Sequence, residues 1–525
     1  MKKIIERIIT IGLYVGFFLV LFVCLSEKKN FHTDEISTYI LSNNTYDDTI
    51  IINPVRGEIY ENPEEAFLQS MTVKSGEQFN YPNVWAKQKA DVHPPLYYAM
   101  VHTISSLFPN TFSVWFAGII NVIFAMLTLF VLRKTVRELT AKKELVFLAS
   151  CCYVFSAGIL SATTFLRMYI VAMFFTTLIT YLFIKNVTNR QRYFYPAIGA
   201  VSVLGALTHY YFVIYLLFIC LVYGIGLIIK KSGKDILYFI LTMGIAGLVS
   251  ILIFPPMLTH TLGGGYRGTE TLNNLSNSSF SQFISKLKAC YNMVDSQLFG
   301  GLFLLLILLA IILLFIGHML RKRGKNGFSF TINSTKVIRW GLVVIPAVAY
   351  FILVSKIAVY TTDRYFHPIY PMLIIAVVGI TGIITEKMVS EKIAFFTLGA
   401  LFIITTFKDF SHNFFYLYRS TQSFIDTAKQ YDNTDCIYFV NQGYEINPSF
   451  LELREYKRIV FVDYNNPEML SDIDYDAKDG LIVSMGTACD FNSVSDAVTK
   501  RFPHLRFSHK LGEYSFSATY YFDTQ

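Results

Sequence analysis

The sequence predicts a mostly α-helical, multispan membrane bundle followed by a small α/β domain, and three observations carry that prediction. Of 525 residues, 53% are hydrophobic and only 16% charged, and the mean hydropathy is +0.44. That is far too apolar for a soluble domain of this length. The apolar residues gather in runs of roughly the 20 needed to cross a bilayer, with short basic clusters between them. After about residue 408 the runs stop and the composition becomes that of a soluble domain.

The first run covers 8–25 and follows Lys2, Lys3 and Arg7. Basic residues before a span place that end in the cytoplasm, so the loop 26–93 is expected outside. MKKIIER plus an apolar run resembles a signal peptide, but no small-x-small cleavage site follows, and the segment is expected to stay as an anchor. PPLYYAMVHTISSLF is short and amphipathic and reads as a helix at the outer interface. The second true span is then 112–132, ended by RKTVRELTAKK. Further runs fall at 145–161, 168–184, 195–209, 211–229, 235–256, 297–319, 337–355, 367–385 and 393–407, about eleven spans in all. With that count the basic clusters at 185–192, 230–234, 321–325 and 386–392 all lie inside. The outer face receives the long first loop, the turn around Arg167, the THYY turn, the loop 257–296, the TTDRYF turn and the tail.

Two domains follow: a transmembrane domain, 1–407, and an extracytoplasmic α/β domain, 408–525. In the second, the β-rich segments 436–440, 458–464 and 480–486 alternate with helical patterns. The net charge of +8 resides in the loop clusters and is a topology signal rather than a nucleic-acid footprint. Seven cysteines, with no CxxC spacing and no Cys/His cluster, point away from thiol and zinc chemistry.

Candidate chemistry begins in the first loop, which carries FHTDEISTYI and ends in DVHPPLYY. A carboxylate at the membrane surface accepts a proton from an incoming hydroxyl when it lies within hydrogen-bond reach. Adjacent carboxylates rarely point the same way, so Asp34 and Glu35 are expected to have separate roles; a lone acidic pair also reads simply as a solvated turn. Pro94 and Pro95 fix φ and hold Asp91 and His93 on a rigid segment, although prolines also commonly begin helices. At the expected outer ends of spans stand Arg167 in FLRMYI, His209 in THYY, Arg267 in GGGYRG, and Asp363 with Arg364 in TTDRYF. Such residues either anchor a helix at the interface or face a polar cavity. Arginine beside tyrosine suits a phosphate, through a bidentate fork and a phenol donor. Asp34, Glu35, Asp91 and His93 alternatively form a set that suits a divalent cation.

DE after the first span, D-x-HPPLYY after the loop, then RMYI, LTHYYF and DRYFHPIYP in that order resemble the glycosyltransferase family 39 and aminoarabinose-transferase-like superfamily. These are membrane enzymes related to protein O-mannosyltransferases, with the fold called GT-C. The resemblance covers most of residues 1–400; DE and D-x-HPP are its specific part, and the tail matches no family. It implies inverting transfer of a sugar from a polyprenyl phosphate carrier to a hydroxyl on protein, lipid or cell-wall glycan, at the outer leaflet. It also implies Asp34 as the catalytic base, with Glu35 and Asp91 orienting acceptor or sugar and His93 supporting Asp91. Arg167, Tyr169, His209, Tyr210, Arg267, Asp363, Arg364 and Tyr365 are then the candidates around the donor.

The rival from another class is a transporter or flippase of a lipid-linked sugar. Transporters gather polar residues near the bilayer midplane, often in repeated halves, whereas this sequence gathers them on one face and shows no repeat. The topology is checked by labelling whole cells with an impermeant thiol reagent. Ser75→Cys is expected to react and Ser232→Cys is not, and the reverse pattern overturns the orientation.

Overall fold

The computed structural model describes residues 2–45, 49–51, 53–140, 142–262, 266–277, 279–305, 307–308, 312, 334–388, 416–475 and 477–524. The run expected at 393–407, the later part of 297–319 and the domain boundary near 408 lie outside these residues. Every other run has a helical counterpart. Among the described residues six helices are long and apolar enough to cross a membrane: Ile4–Ser26, Val114–Leu139, Tyr169–Thr188, Tyr210–Ile229, Gly233–Ile253 and Thr335–Ile357. Lys143–Val154 and Ala157–Thr164 make a seventh span if counted as one, bent by 50°, and Phe194–Ala206 and His367–Gly379 are shorter apolar helices. Tyr169–Thr188 is the most buried, at 61%, and packs against Val114–Leu139, Tyr210–Ile229 and the Ser334–Ile357 helix. Gly233–Ile253, only 17% buried, lies at the periphery, where its apolar side chains suit lipid.

The chain breaks again between Thr164 and Tyr169, at the end of the bundle that carries the first loop. In a membrane the polar groups freed by such a break need protein partners. Asn121 Nδ2 donates to the carbonyls of Thr163 (3.0 Å) and Phe165 (2.8 Å), and its Oδ1 accepts from the Tyr97 hydroxyl at 2.9 Å.

The first loop is folded. It contains the helices Thr33–Asn43, Pro63–Met71 and Tyr81–Ala90 and a two-residue strand β1, Ile59–Tyr60, and the helix Leu96–Ser106 follows it. The helix expected from PPLYY is Leu96–Ser106, with Tyr97, Tyr98, Val101 and His102 buried. The tail forms β2 (Cys436–Val440), β3 (Ile459–Asp463), β4 (Leu481–Gly486), β5 (Leu505–Glu513) and β6 (Ser517–Thr524), in one sheet of order β1-β3-β2-β4-β6-β5. β2 runs parallel to β3 and β4, and the remaining pairs are antiparallel.

Alternation along the strands divides two cores. Ile437, Phe439, Val460, Val462, Leu481 and Val483 pack beneath the Phe491–Arg501 helix. Cys436, Tyr438, Val440, Ile459, Phe461 and Ile482 belong to the same buried cluster as the helical bundle. Burial on both faces explains why β2 and β4 read as continuous apolar runs. The tail therefore folds together with the first loop, which supplies the sheet's edge strand. Phe450 is fully buried and meets Phe31, Phe67 and Phe112 of the first loop and span entry, at 5.9, 6.2 and 6.0 Å between ring centres. Asn30 Nδ2 donates to the Pro448 carbonyl at 2.8 Å. Phe450→Ala is expected to destabilise the protein by about 3–5 kcal/mol, read as a lower melting temperature in detergent, whereas Tyr444→Ala, at a site 47% exposed, changes it little.

Candidate active site

The Thr33–Asn43 helix begins with a reciprocal cap: His32 Nδ1 accepts the Asp34 N–H at 3.0 Å, and the Glu35 carboxylate accepts the His32 N–H at 2.6 Å. An accepting Nδ1 needs a neutral ring. Burial, opposed by Asp34 and reinforced by Arg364 and Arg167, lowers the His32 pKa to about 4, which agrees. Successive residues of a helix point about 100° apart, so the two carboxylates diverge. The Asp34 side chain keeps 30% exposure, while that of Glu35 has none.

Glu35, expected among the catalytic carboxylates, is fully engaged as a structural acceptor. Lys28 Nζ stands 2.9 and 3.0 Å from its two oxygens, and the Leu166 N–H donates at 2.7 Å. Lys28 also donates to the Tyr416 carbonyl and lies over the rings of Phe31 and Tyr418, 5.5 and 5.4 Å from their centres. Neither sequence pattern nor resemblance marked Lys28, His32 or Tyr416.

Asp34 faces the guanidinium of Arg364, which donates to its Oδ2. Arg167, delivered by the break before Tyr169, donates to the Asp34 carbonyl (3.1 Å), Thr38 Oγ1 (3.0 Å) and the Tyr98 hydroxyl (2.9 Å). Burial pushes the Asp34 carboxyl up, but Arg364, Arg167, His32 and His93 together outweigh it and hold the pKa at about 2. Asp34 is thus ionised at any physiological pH.

Asp91 and His93 form a second unit. Asp91 Oδ2 lies 2.7 Å from His93 Nδ1, and His93 Nε2 lies 3.3 Å from Arg167. Arginine only donates, so Nε2 accepts and the proton sits on Nδ1, pointing at Asp91. Burial, opposed by Asp91, lowers the His93 pKa and keeps the ring neutral. The chain Asp91–His93–Arg167 therefore ends on the backbone of Asp34. Leu96 N–H donates to the Leu207 carbonyl at 3.0 Å, clamping the segment after the two prolines.

Asp363 is buried and organises its turn. Its Oδ1 accepts from the Arg364 N–H (2.8 Å) and the Tyr416 hydroxyl (2.7 Å), and its Oδ2 from Gln297 Nε2 (2.6 Å). Tyr169, His209 and Tyr365 form an aromatic wall: Tyr169 meets His209 at 5.0 Å and Tyr365 at 6.4 Å. His209 Nδ1 caps the next helix through the Tyr211 N–H at 3.0 Å. Tyr210 turns elsewhere and pairs with His260 at 2.8 Å, which lies 3.3 Å from the Lys89 carbonyl. The side chain of Arg267 and the glycines 263–265 lie outside the described residues.

The four groups considered for a divalent cation do not converge, because Lys28 holds Glu35, Arg364 holds Asp34 and Arg167 faces His93. Among the described residues no three His, Cys, Asp or Glu side chains stand close enough to hold a metal ion.

Removing one member of a buried ion pair costs about 3–5 kcal/mol. Glu35→Gln is accordingly expected to lower the melting temperature, and Lys28→Met added to it recovers part of the loss. A Glu35→Gln protein of normal stability would contradict the structural role.

No protein-family model matches the chain, and no curated protein matches it. Among solved structures, the chain is similar to ArnT from Cupriavidus metallidurans, in a crystal structure bound to undecaprenyl phosphate. The identity is 11%, the TM-score 0.49, and the match covers 97% of this chain and 98% of that one.

Proposed function

We propose that this protein transfers a sugar from a polyprenyl-phosphate carrier to a hydroxyl acceptor of the cell envelope, with inversion, on the extracytoplasmic face of the membrane. The observation that carries the reading is a partly exposed carboxylate, Asp34, which takes Arg364 on its side chain and Arg167 on its backbone carbonyl, at one end of an apolar helical bundle. Arg167 and Arg364 each retain a buried Nε–H that no described residue accepts. An unpaired buried donor is costly, by about 1–3 kcal/mol. An anionic oxygen is the ligand that satisfies two guanidinium groups at once.

The acceptor oxygen attacks the anomeric carbon and its proton passes to Asp34. The bond from that carbon to the carrier phosphate breaks, and its electron pair stays on the phosphate oxygen. Arg364, with Arg167 behind it, neutralises the charge that develops there. A phosphate leaves readily, so positioning and water exclusion are the protein's main tasks. Asp91 and His93 hold Arg167 in place, and the Tyr169, His209 and Tyr365 rings line the donor side. The donor is a membrane lipid, and the chain acts as a multi-pass membrane protein with its amino terminus in the cytoplasm.

Asp34→Asn is expected to abolish transfer, measured as loss of a sugar from envelope glycans of cells carrying only that variant, with insertion and abundance unchanged. Retained transfer would sink the base assignment. The pH profile adds a signed test. With Asp34 ionised down to about pH 2, kcat/KM shows no acid limb from this group near neutrality. Arg364→Gln leaves burial unopposed by its strongest cation, so the limb moves to higher pH by about 1–3 units.

A further inference from the structure

Building on that reading, we propose that Tyr416, from the segment that joins the bundle to the tail domain, is a positioning residue for the phosphate-binding arginine Arg364. The geometry is direct. One carboxylate oxygen, Asp363 Oδ1, accepts both the Tyr416 hydroxyl at 2.7 Å and the Arg364 backbone N–H at 2.8 Å. The phenol and the turn that presents Arg364 thus share a single anchor point. The ring of Tyr416 stacks on Phe165, 4.0 Å between centres and 20° between planes, and the Arg364 guanidinium lies 5.8 Å from the centre of that same ring. Phenol and ring therefore constrain the arginine from its backbone and from its side-chain end.

The backbone of this segment is strained. Tyr416 has φ 75° and Tyr418 φ 52°, in the left-handed region that non-glycine residues seldom occupy. Such conformations persist where the surroundings over-determine them, and they cluster at functional sites. Here the determinants are Lys28, which donates to the Tyr416 carbonyl, and the Lys29 N–H, which donates to the Leu417 carbonyl at 2.8 Å. Both come from the end of the first span. The tail's entry segment is consequently pinned against the loop that carries Asp34, and it delivers a side chain into the wall of the site. This gives residues 416–418 a role in the transfer domain's own chemistry, whatever the rest of the tail binds.

The test measures binding of farnesyl phosphate, a short polyprenyl phosphate, to the purified full-length protein. Tyr416→Phe keeps the stacking ring and removes the hydroxyl, and it is expected to weaken binding about tenfold. Arg364→Gln is expected to weaken it at least as much. Because Tyr416 acts through Arg364, Tyr416→Phe added to Arg364→Gln has little further effect, whereas a general loosening of the fold would add to it. Tyr416→Trp, which also retains a ring without the phenol oxygen, serves as the second variant if Tyr416→Phe does not fold. Unchanged binding in Tyr416→Phe alongside weak binding in Arg364→Gln overturns the positioning role and leaves the phosphate reading intact. So does full additivity in the double variant. A wild-type protein that binds no farnesyl phosphate, or an Arg364→Gln protein that binds it normally, overturns the phosphate reading itself and this role with it.

Discussion

The buried ion pair between Lys28 and Glu35 is the constraint on which the rest of the site depends. Two charges removed from water are costly unless each is fully hydrogen-bonded. Glu35 meets that condition with the ammonium, the Leu166 N–H and the His32 N–H. Lys28 meets it with the carboxylate, the Tyr416 carbonyl and two ring faces. Each partner belongs to a different piece of chain: the end of the first span, the loop helix, the break before Tyr169 and the segment leading to the tail. Pairs of this kind add little net stability over an apolar core, but removing either partner strands the other's charge, so the segments that supply them must meet. The pair therefore sets the frame in which Asp34, one residue earlier, is aimed.

That one-residue offset separates structure from chemistry. Helical geometry turns Glu35 inward and Asp34 toward the arginines, so neighbouring carboxylates of similar intrinsic acidity acquire unlike surroundings. Arg364 both lowers the pKa of Asp34 and so limits its strength as a base. In the proposed reaction the same guanidinium has a second claimant, the leaving phosphate. As the electron pair of the breaking bond shifts from the anomeric carbon to the phosphate oxygen, the arginine's attraction moves toward that oxygen, and Asp34 gains basicity at the stage when the acceptor proton is released.

Much of this was legible in the sequence because it rests on local or compositional signals. Apolar runs have a length set by the bilayer, and basic clusters sort the loops to two faces. That sorting put Arg167, His209 and Arg364 with the first loop, and the structure brings Arg167 and Arg364 to Asp34 and His209 to His93. What was not legible depends on pairing between distant segments. The direction of Glu35 is decided by Lys28 and Leu166, and that of Tyr210 by His260. β1 is two residues long and has no periodicity to read; it exists because β3 offers an edge. For the same reason the tail read as a separate module, although its sheet draws a strand from the loop. Tyr416 carries no motif at all.

The break between Thr164 and Tyr169 shows why site and bundle cannot be designed independently. An unbroken helix would leave Arg167 as one more interfacial cation on a regular surface. Ending the helix frees carbonyls and an N–H within the buried end of the bundle, where each demands a partner. Asn121 takes two of the carbonyls and Glu35 takes the N–H of Leu166. The polar side chains recruited to close the break are thereby drawn to the place where the arginine emerges. Asn121 brings Tyr97 of the helix that follows the loop with it, and Glu35 brings the helix that carries Asp34. The backbone's need for hydrogen bonds in an apolar medium thus assembles the loop against the spans, and the Asp34 carboxylate comes to rest beside its guanidinium partners as a consequence of that assembly.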